Sequence, residues 1–147
     1  MATVFNHLGH CVRDLERAKR FYVELLEFEF RNEIQPPDEG SAQLLALTPP
    51  VGLTASYLRR DGLVLELLHY ADAGAEDHPP RVMNELGLTH ISVSVDIEAV
   101  LARVEEYGGQ VLEKTNIGFG VFIRDPDGQL IELLPLQYAE GIAAEFG

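Results

Sequence analysis

Two glutamates lie where an unpaired charge would be costly. Glu66 sits inside Leu63-Val64-Leu65-Glu66-Leu67-Leu68, and Glu132 inside Leu130-Ile131-Glu132-Leu133-Leu134. A carboxylate in such a run needs a compensating partner. Two histidines, His7 and His90, stand near the starts of two other strand-like segments. Side chains two apart on a strand share a face. His90 therefore goes with Ser92 and Ser94, and Ile91, Val93 and Val95 take the opposite face. The apolar face should pack on a helix, leaving the histidine on a more polar, concave face. Taken singly, a strand histidine is usually structural and a glutamate in an apolar strand is usually paired with an arginine. The same His and Glu at corresponding places in two halves of one chain point instead to a divalent-metal site offered by His7, Glu66, His90 and Glu132. Imidazole nitrogen and carboxylate oxygen suit a hard-to-borderline ion such as Ni, Co, Zn, Mn or Fe.

The elements that must position these residues repeat. Phe5 to Val12 reads as a strand, and Asp14 then offers an N-cap. Leu15, Ala18, Phe21, Tyr22, Leu25 and Leu26 recur at helical spacing. Phe28 to Ile34 alternates as a second strand. A turn-rich break, Gln35 to Gly40, leads to Ser41–Leu47, which suits either a short helix or an edge strand. Leu53–Arg59 and Leu63–Tyr70 form a hairpin around Arg60-Asp61-Gly62, since Asp-Gly favours a tight turn. After a small, acidic stretch the pattern restarts. Leu88 to Val95 is a strand, and Asp96 caps a helix whose apolar face is Ile97, Val100, Leu101 and Val104. Gly108-Gly109 stops that helix. Gln110–Thr115, Gly120–Arg124 and Leu130–Leu134 are strands, with a strong turn at Asp125-Pro126-Asp127-Gly128. The opening segments His7 to Glu16 and His90 to Glu98 align with one residue deleted, so the chain is a duplication. The expected organisation is an α+β fold of two tandem βαβββ modules, residues 1–70 and 87–136. A linker spans 71–86 and a frayed tail 137–147, the whole forming one domain.

Composition excludes more than it identifies. The net charge of −13, from 24 acidic against 11 basic residues, disfavours nucleic acid and anionic membranes, whose binding depends on Lys and Arg. It suits cationic ligands and metal ions, although a solvated acidic surface is its ordinary role. No apolar run approaches the roughly 20 residues that span a bilayer, and Met1 to His7 lacks the features of a signal peptide. Cys11 is the sole cysteine, so an intrachain disulfide is impossible and a reducing cytoplasm is the expected location. His10 and His69 fall out of phase with the candidate ligands, and His78 lies in the linker. Cys11 shares the face of His7 and could line the pocket, and as a sole buried thiol it is more often a small hydrophobe than a nucleophile. Leu44, Leu45 and Leu47 suit either an apolar lid or core packing.

Five stretches carry a family resemblance. They are His7 to Leu15, Phe21-Tyr22, Asp61 to Leu67, Gly87 to Ile91, and Asp125 to Leu133. The sequence resembles the vicinal-oxygen-chelate superfamily, which includes glyoxalase I, methylmalonyl-CoA epimerase, extradiol dioxygenases, and the bleomycin- and fosfomycin-resistance proteins. The resemblance implies paired modules forming a half-barrel around one metal ion, held by His7, Glu66, His90 and Glu132, and a homodimer whose sites lie within one chain or across the pair. Four protein ligands on an octahedral ion leave two adjacent positions for a small substrate with neighbouring oxygens, and the ion then acts as a Lewis acid. By likeness to glyoxalase I, Glu132 is the catalytic base. A metal-dependent isomerase or lyase is the activity implied. The alternatives are a metal-free antibiotic-binding protein of the bleomycin-resistance kind, which the acidity suits, and an Fe(II) extradiol-type dioxygenase, which would carry His in place of Glu66. Epimerases usually have Gln at Glu66, and glyoxalase I usually has at Cys11 an arginine that holds a glutathione carboxylate. Both departures bear on the substrate.

Overall fold

A computed structural model describes residues 1–139, so positions 140–147 of the expected tail lie outside the described residues. The chain divides into two compact units, Met1–Asp77 and His78–Gly147, and each carries one four-stranded mixed sheet. The result is the expected α+β fold of two tandem modules.

In the first unit, β1 (Leu8–Cys11) is followed by α1 (Leu15–Arg20), β2 (Glu29–Ile34), α2 (Asp38–Leu45), β3 (Leu53–Arg60) and β4 (Leu63–Tyr70). Asp14 caps α1, its carboxylate accepting from the Arg17 N–H at 2.9 Å. The helix then widens into π-type turns over Phe21–Leu25, with Leu26 N–H bonding Phe21 C=O. Strand order is β1-β4-β3-β2, with β1 parallel to β4 and the other pairs antiparallel. Alternation along β4 divides the sheet. Leu65 and Leu67 are fully buried with Leu58, Ala18, Phe21 and Tyr22, while Glu66 points to the other face. The hairpin turn falls where Asp-Gly places it, and Asp61 takes the positive φ of 50°, which Asp tolerates better than most residues.

The second unit repeats the strand order, with a 3-10 turn where the first has α2: β5 (His90–Val95), α3 (Ile97–Leu101), β6 (Gln110–Val111), β7 (Val121–Arg124) and β8 (Leu130–Pro135). Asp96 accepts from the Ala99 N–H at the start of α3, and Gly108 ends the following turn with φ of 80°. Strand order is β5-β8-β7-β6, again with the first strand parallel to the last. Ile123, Ile131, Leu133 and Val104 are fully buried. Among the described residues, no helix is long and apolar enough to cross a membrane.

Two local expectations change, and the choice left open at Ser41–Leu47 falls to the helix. The first strand begins at Leu8, so His7 immediately precedes it. Ser41 to Leu45 is helical: Ser41 Oγ and N–H both bond the Pro37 carbonyl, and Ala46 ends the helix in a left-handed conformation. Leu44 is left 84% exposed. Gln110–Thr115 is a two-residue strand followed by a 3-10 turn, Glu113–Thr115. There the Thr115 hydroxyl donates to the Leu112 carbonyl and accepts from the Phe122 N–H, a local alternative to strand pairing.

Replacing Leu65 or Leu133 by Ala removes a fully buried side chain and should cost about 2–5 kcal/mol of stability. A lower urea midpoint at unchanged slope is the expected result. A loss below about 1 kcal/mol would show that these positions lie outside the packed core.

Candidate metal-binding pairs

Within each unit the fold brings the expected histidine against the expected glutamate. His7 Nε2 lies 3.4 Å from Glu66 Oε2, and His90 Nε2 lies 3.6 Å from Glu132 Oε2. The cause is the parallel pairing of first and last strands. The register partner of Glu66 on β1 is Gly9, and that of Glu132 on β5 is Ser92. Each of these stands two residues after the histidine, so histidine and carboxylate share a face one pleat apart. Antiparallel neighbours complete each site: Tyr57 on β3 is opposite Glu66, and Phe122 on β7 is opposite Glu132. Both rings meet their histidine edge-on, at 5.9 Å for Tyr57 and 5.2 Å for Phe122.

The free nitrogens and carboxylates suit a cation. His7 Nδ1 bonds Asn6 Oδ1, which leaves Nε2 turned toward Glu66. A proton or a metal ion between Nε2 and the carboxylate satisfies both. His90 Nδ1 is held by the Thr89 hydroxyl at 2.8 Å, which again leaves Nε2 to the carboxylate. Anchoring of the far ring nitrogen is how ligating histidines are usually oriented. Two donors about 2.1 Å from a shared ion stand about 3–3.5 Å apart at octahedral to tetrahedral angles, close to both observed separations. Among the described residues, no group of three or more His, Cys, Asp or Glu forms a metal-holding cluster. Each unit by itself offers two donors.

The carboxylates differ in their surroundings. Glu66 is buried at 8% exposure and accepts a hydrogen bond from the Tyr57 hydroxyl. That bond, burial and the carboxylate's charge, in that order, push the Tyr57 pKa up to about 12. Glu132 has a side chain 29% exposed and accepts from Ser92 Oγ at 2.7 Å. Tyr70 is also held protonated above its ordinary range, by burial first and then by Cys11 and Glu66. Cys11 is exposed rather than buried, on the sheet face away from α1. His10 packs edge-on against Tyr22 of the helical segment, as its strand phase predicts. Tyr57, Asn6 and Thr89 escape recognition from sequence as parts of the site. Tyr57 had a usable signal, since a two-residue turn at Asp61-Gly62 pairs Arg60 with Leu63 and, counting back, Tyr57 with Glu66.

A family model described as "Glyoxalase/Bleomycin resistance protein/Dioxygenase superfamily" matches residues 4–133. No curated protein sequence matches the chain. Among solved structures, the trypanothione-dependent glyoxalase I of Leishmania major is 23% identical with a TM-score of 0.70, covering 98% of this chain and 94% of that one. A glyoxalase family protein from Bacillus cereus is 17% identical with a TM-score of 0.77, over 92% and 95% of the two chains. A mutant of the fosfomycin resistance protein FosX from Listeria monocytogenes, complexed with Mn(II) and a dihydroxypropylphosphonic acid, is 16% identical with a TM-score of 0.59, over 92% and 93%. At these identities the likeness is one of fold.

The Tyr57–Glu66 bond can be checked by following phenolate absorbance in metal-free protein. One tyrosine should ionise near pH 12, and Glu66→Gln should bring it back toward the ordinary 10. Because the folded-state pKa is raised, the stabilisation from this pair is complete below pH 10 and is lost between 10 and 12. An unchanged titration in Glu66→Gln would show that the hydroxyl does not meet this carboxylate.

Proposed function

From its membership of the glyoxalase/bleomycin resistance protein/dioxygenase superfamily, to which this chain belongs, we propose that it is a metal-dependent isomerase or lyase acting on a small substrate with neighbouring oxygens. The observation that carries this is the repeated pair, His7 with Glu66 and His90 with Glu132, each histidine turning Nε2 to its carboxylate. Two pairs together supply four donors for one divalent ion, drawn from one chain or from two chains of a homodimer. Ni, Co, Zn, Mn and Fe all accept such nitrogen and oxygen ligation, and Mn(II) is the ion named for the FosX complex. Bound there, the ion supplies Lewis acidity toward a substrate carbonyl.

The chain's own residues would then do the rest. Glu66, buried beside Tyr57, serves as a fixed ligand. Glu132 is more exposed and can take the proton next to the substrate carbonyl, with the Ser92 hydroxyl donating to it. A base of this kind works best when its pKa lies near the working pH. Exposed Cys11 stands where an arginine would serve glutathione, so a carbonyl substrate without a glutathione carboxylate fits better. The acidic surface, with its net charge of −13, supports a second candidate, metal-free sequestration of a cationic small molecule.

Elemental analysis of as-purified, untagged protein, followed by titration of Ni, Co and Zn into the stripped form, separates the two. We expect roughly one tightly held ion per four-ligand set, lost on Glu66→Ala or His90→Ala. Absence of metal and of uptake would refute the enzyme and turn attention to cationic ligands. In an active preparation, Glu132→Gln should cut turnover by at least about 100-fold while leaving metal at least partly bound. Unchanged turnover would remove Glu132 from the base role.

A further inference from the structure

The two copies of the site are not equivalent, and the difference lies in where each keeps its hydroxyl. In the first unit the carboxylate lies between Gly9 and Tyr57, and in the second between Ser92 and Phe122. Each unit thus places an aromatic ring at the same register position, edge-on to its histidine. The first puts the hydroxyl on that ring, and the second puts it on the opposite neighbour, Ser92.

We infer that Tyr57 is a positioning residue that clamps Glu66 as the fixed carboxylate of the metal site, while the serine-held Glu132 stays free to move. The inference rests on the metal site proposed above. A phenol oxygen is carried by a rigid ring, and this ring is wedged edge-on at 85° to the His7 plane. Its position is therefore set by the sheet and by the same histidine that faces Glu66. A serine hydroxyl turns about one bond and can follow a carboxylate as it swings. Burial runs the same way, with side-chain exposure of 11% for Glu66 and 29% for Glu132. A hydroxyl donating to an ionised carboxylate makes a strong, charge-assisted bond. Such a bond takes up one lone pair of the carboxylate and leaves the others to a cation. Gly9 extends the contrast. A Cβ there would meet Leu68 Cδ1 at 3.4 Å, an ordinary contact, so the backbone of the first unit admits a side chain where the second has Ser92, and the hydroxyl comes from the tyrosine instead.

The test compares wild type, Tyr57→Phe, Ser92→Ala and the double variant Gly9→Ser/Tyr57→Phe. Each is purified as the full chain, stripped and titrated with Co(II), and both the affinity and the visible ligand-field spectrum are read. Tyr57→Phe should weaken Co(II) binding by about 10–100-fold, the usual effect of losing a group that orients a ligand, and should alter the spectrum. Ser92→Ala should weaken it less. Adding Gly9→Ser to Tyr57→Phe moves the hydroxyl to the other neighbour of Glu66 and should recover at least about tenfold of the loss, which a merely space-filling tyrosine would not permit. Equal affinity and spectrum in Tyr57→Phe and wild type would overturn the inference alone. So would a loss that Gly9→Ser does not reverse. A wild-type chain that takes up no Co(II) would instead remove the metal site itself, and the clamp with it.

Discussion

Everything at the site depends on one constraint, the parallel pairing of the first strand of each module with its last. Parallel neighbours cannot be joined by a tight turn, and each module places helical segments and two more strands between them. That detour yields the order β1-β4-β3-β2 and its repeat β5-β8-β7-β6. It brings a histidine from the start of each module beside a glutamate from its end, 59 residues away in the first unit and 42 in the second. The identical register in both, with Gly9 opposite Glu66 and Ser92 opposite Glu132, makes two matching pairs from segments of different length.

Alternation then separates structure from chemistry along each strand. On β4, Leu65 and Leu67 fill the core beneath the helix while Glu66 turns to the other face, and on β8 Ile131 and Leu133 do the same around Glu132. The apolar residues flanking each carboxylate are thus the reason that it is held in place. A one-residue slip would turn both carboxylates into the core and turn Leu65, Leu67, Ile131 and Leu133 out of it. Most described acidic side chains are exposed, whereas the two candidate ligands are Glu66, buried, and Glu132, half-buried.

The duplication also shows how one architecture can hold two unlike sites. The aromatic position is kept in both units, as Tyr57 and Phe122, because a ring there packs against the histidine. The hydroxyl is not tied to that packing and moves to Ser92 in the second unit. The same backbone therefore presents a carboxylate with a rigid partner in one half and a carboxylate with a rotatable partner in the other.

Much of this was legible in the residues. The βαβββ repeat, the caps at Asp14 and Asp96, the Asp61-Gly62 turn and the four candidate ligands all follow from local propensity and a period of two, which depend on near neighbours. The helix over Ser41–Leu45, the short β6 and the exposure of Cys11 did not, because each depends on contacts far along the chain or on which face meets solvent. Pairing His7 with Glu66, giving Tyr57 to that carboxylate and Ser92 to Glu132, and ranking the two by burial belonged to the tertiary structure. Sequence determines which side chains share a face of one strand. Which strands become neighbours, and in what register, is decided when the sheet closes over its core.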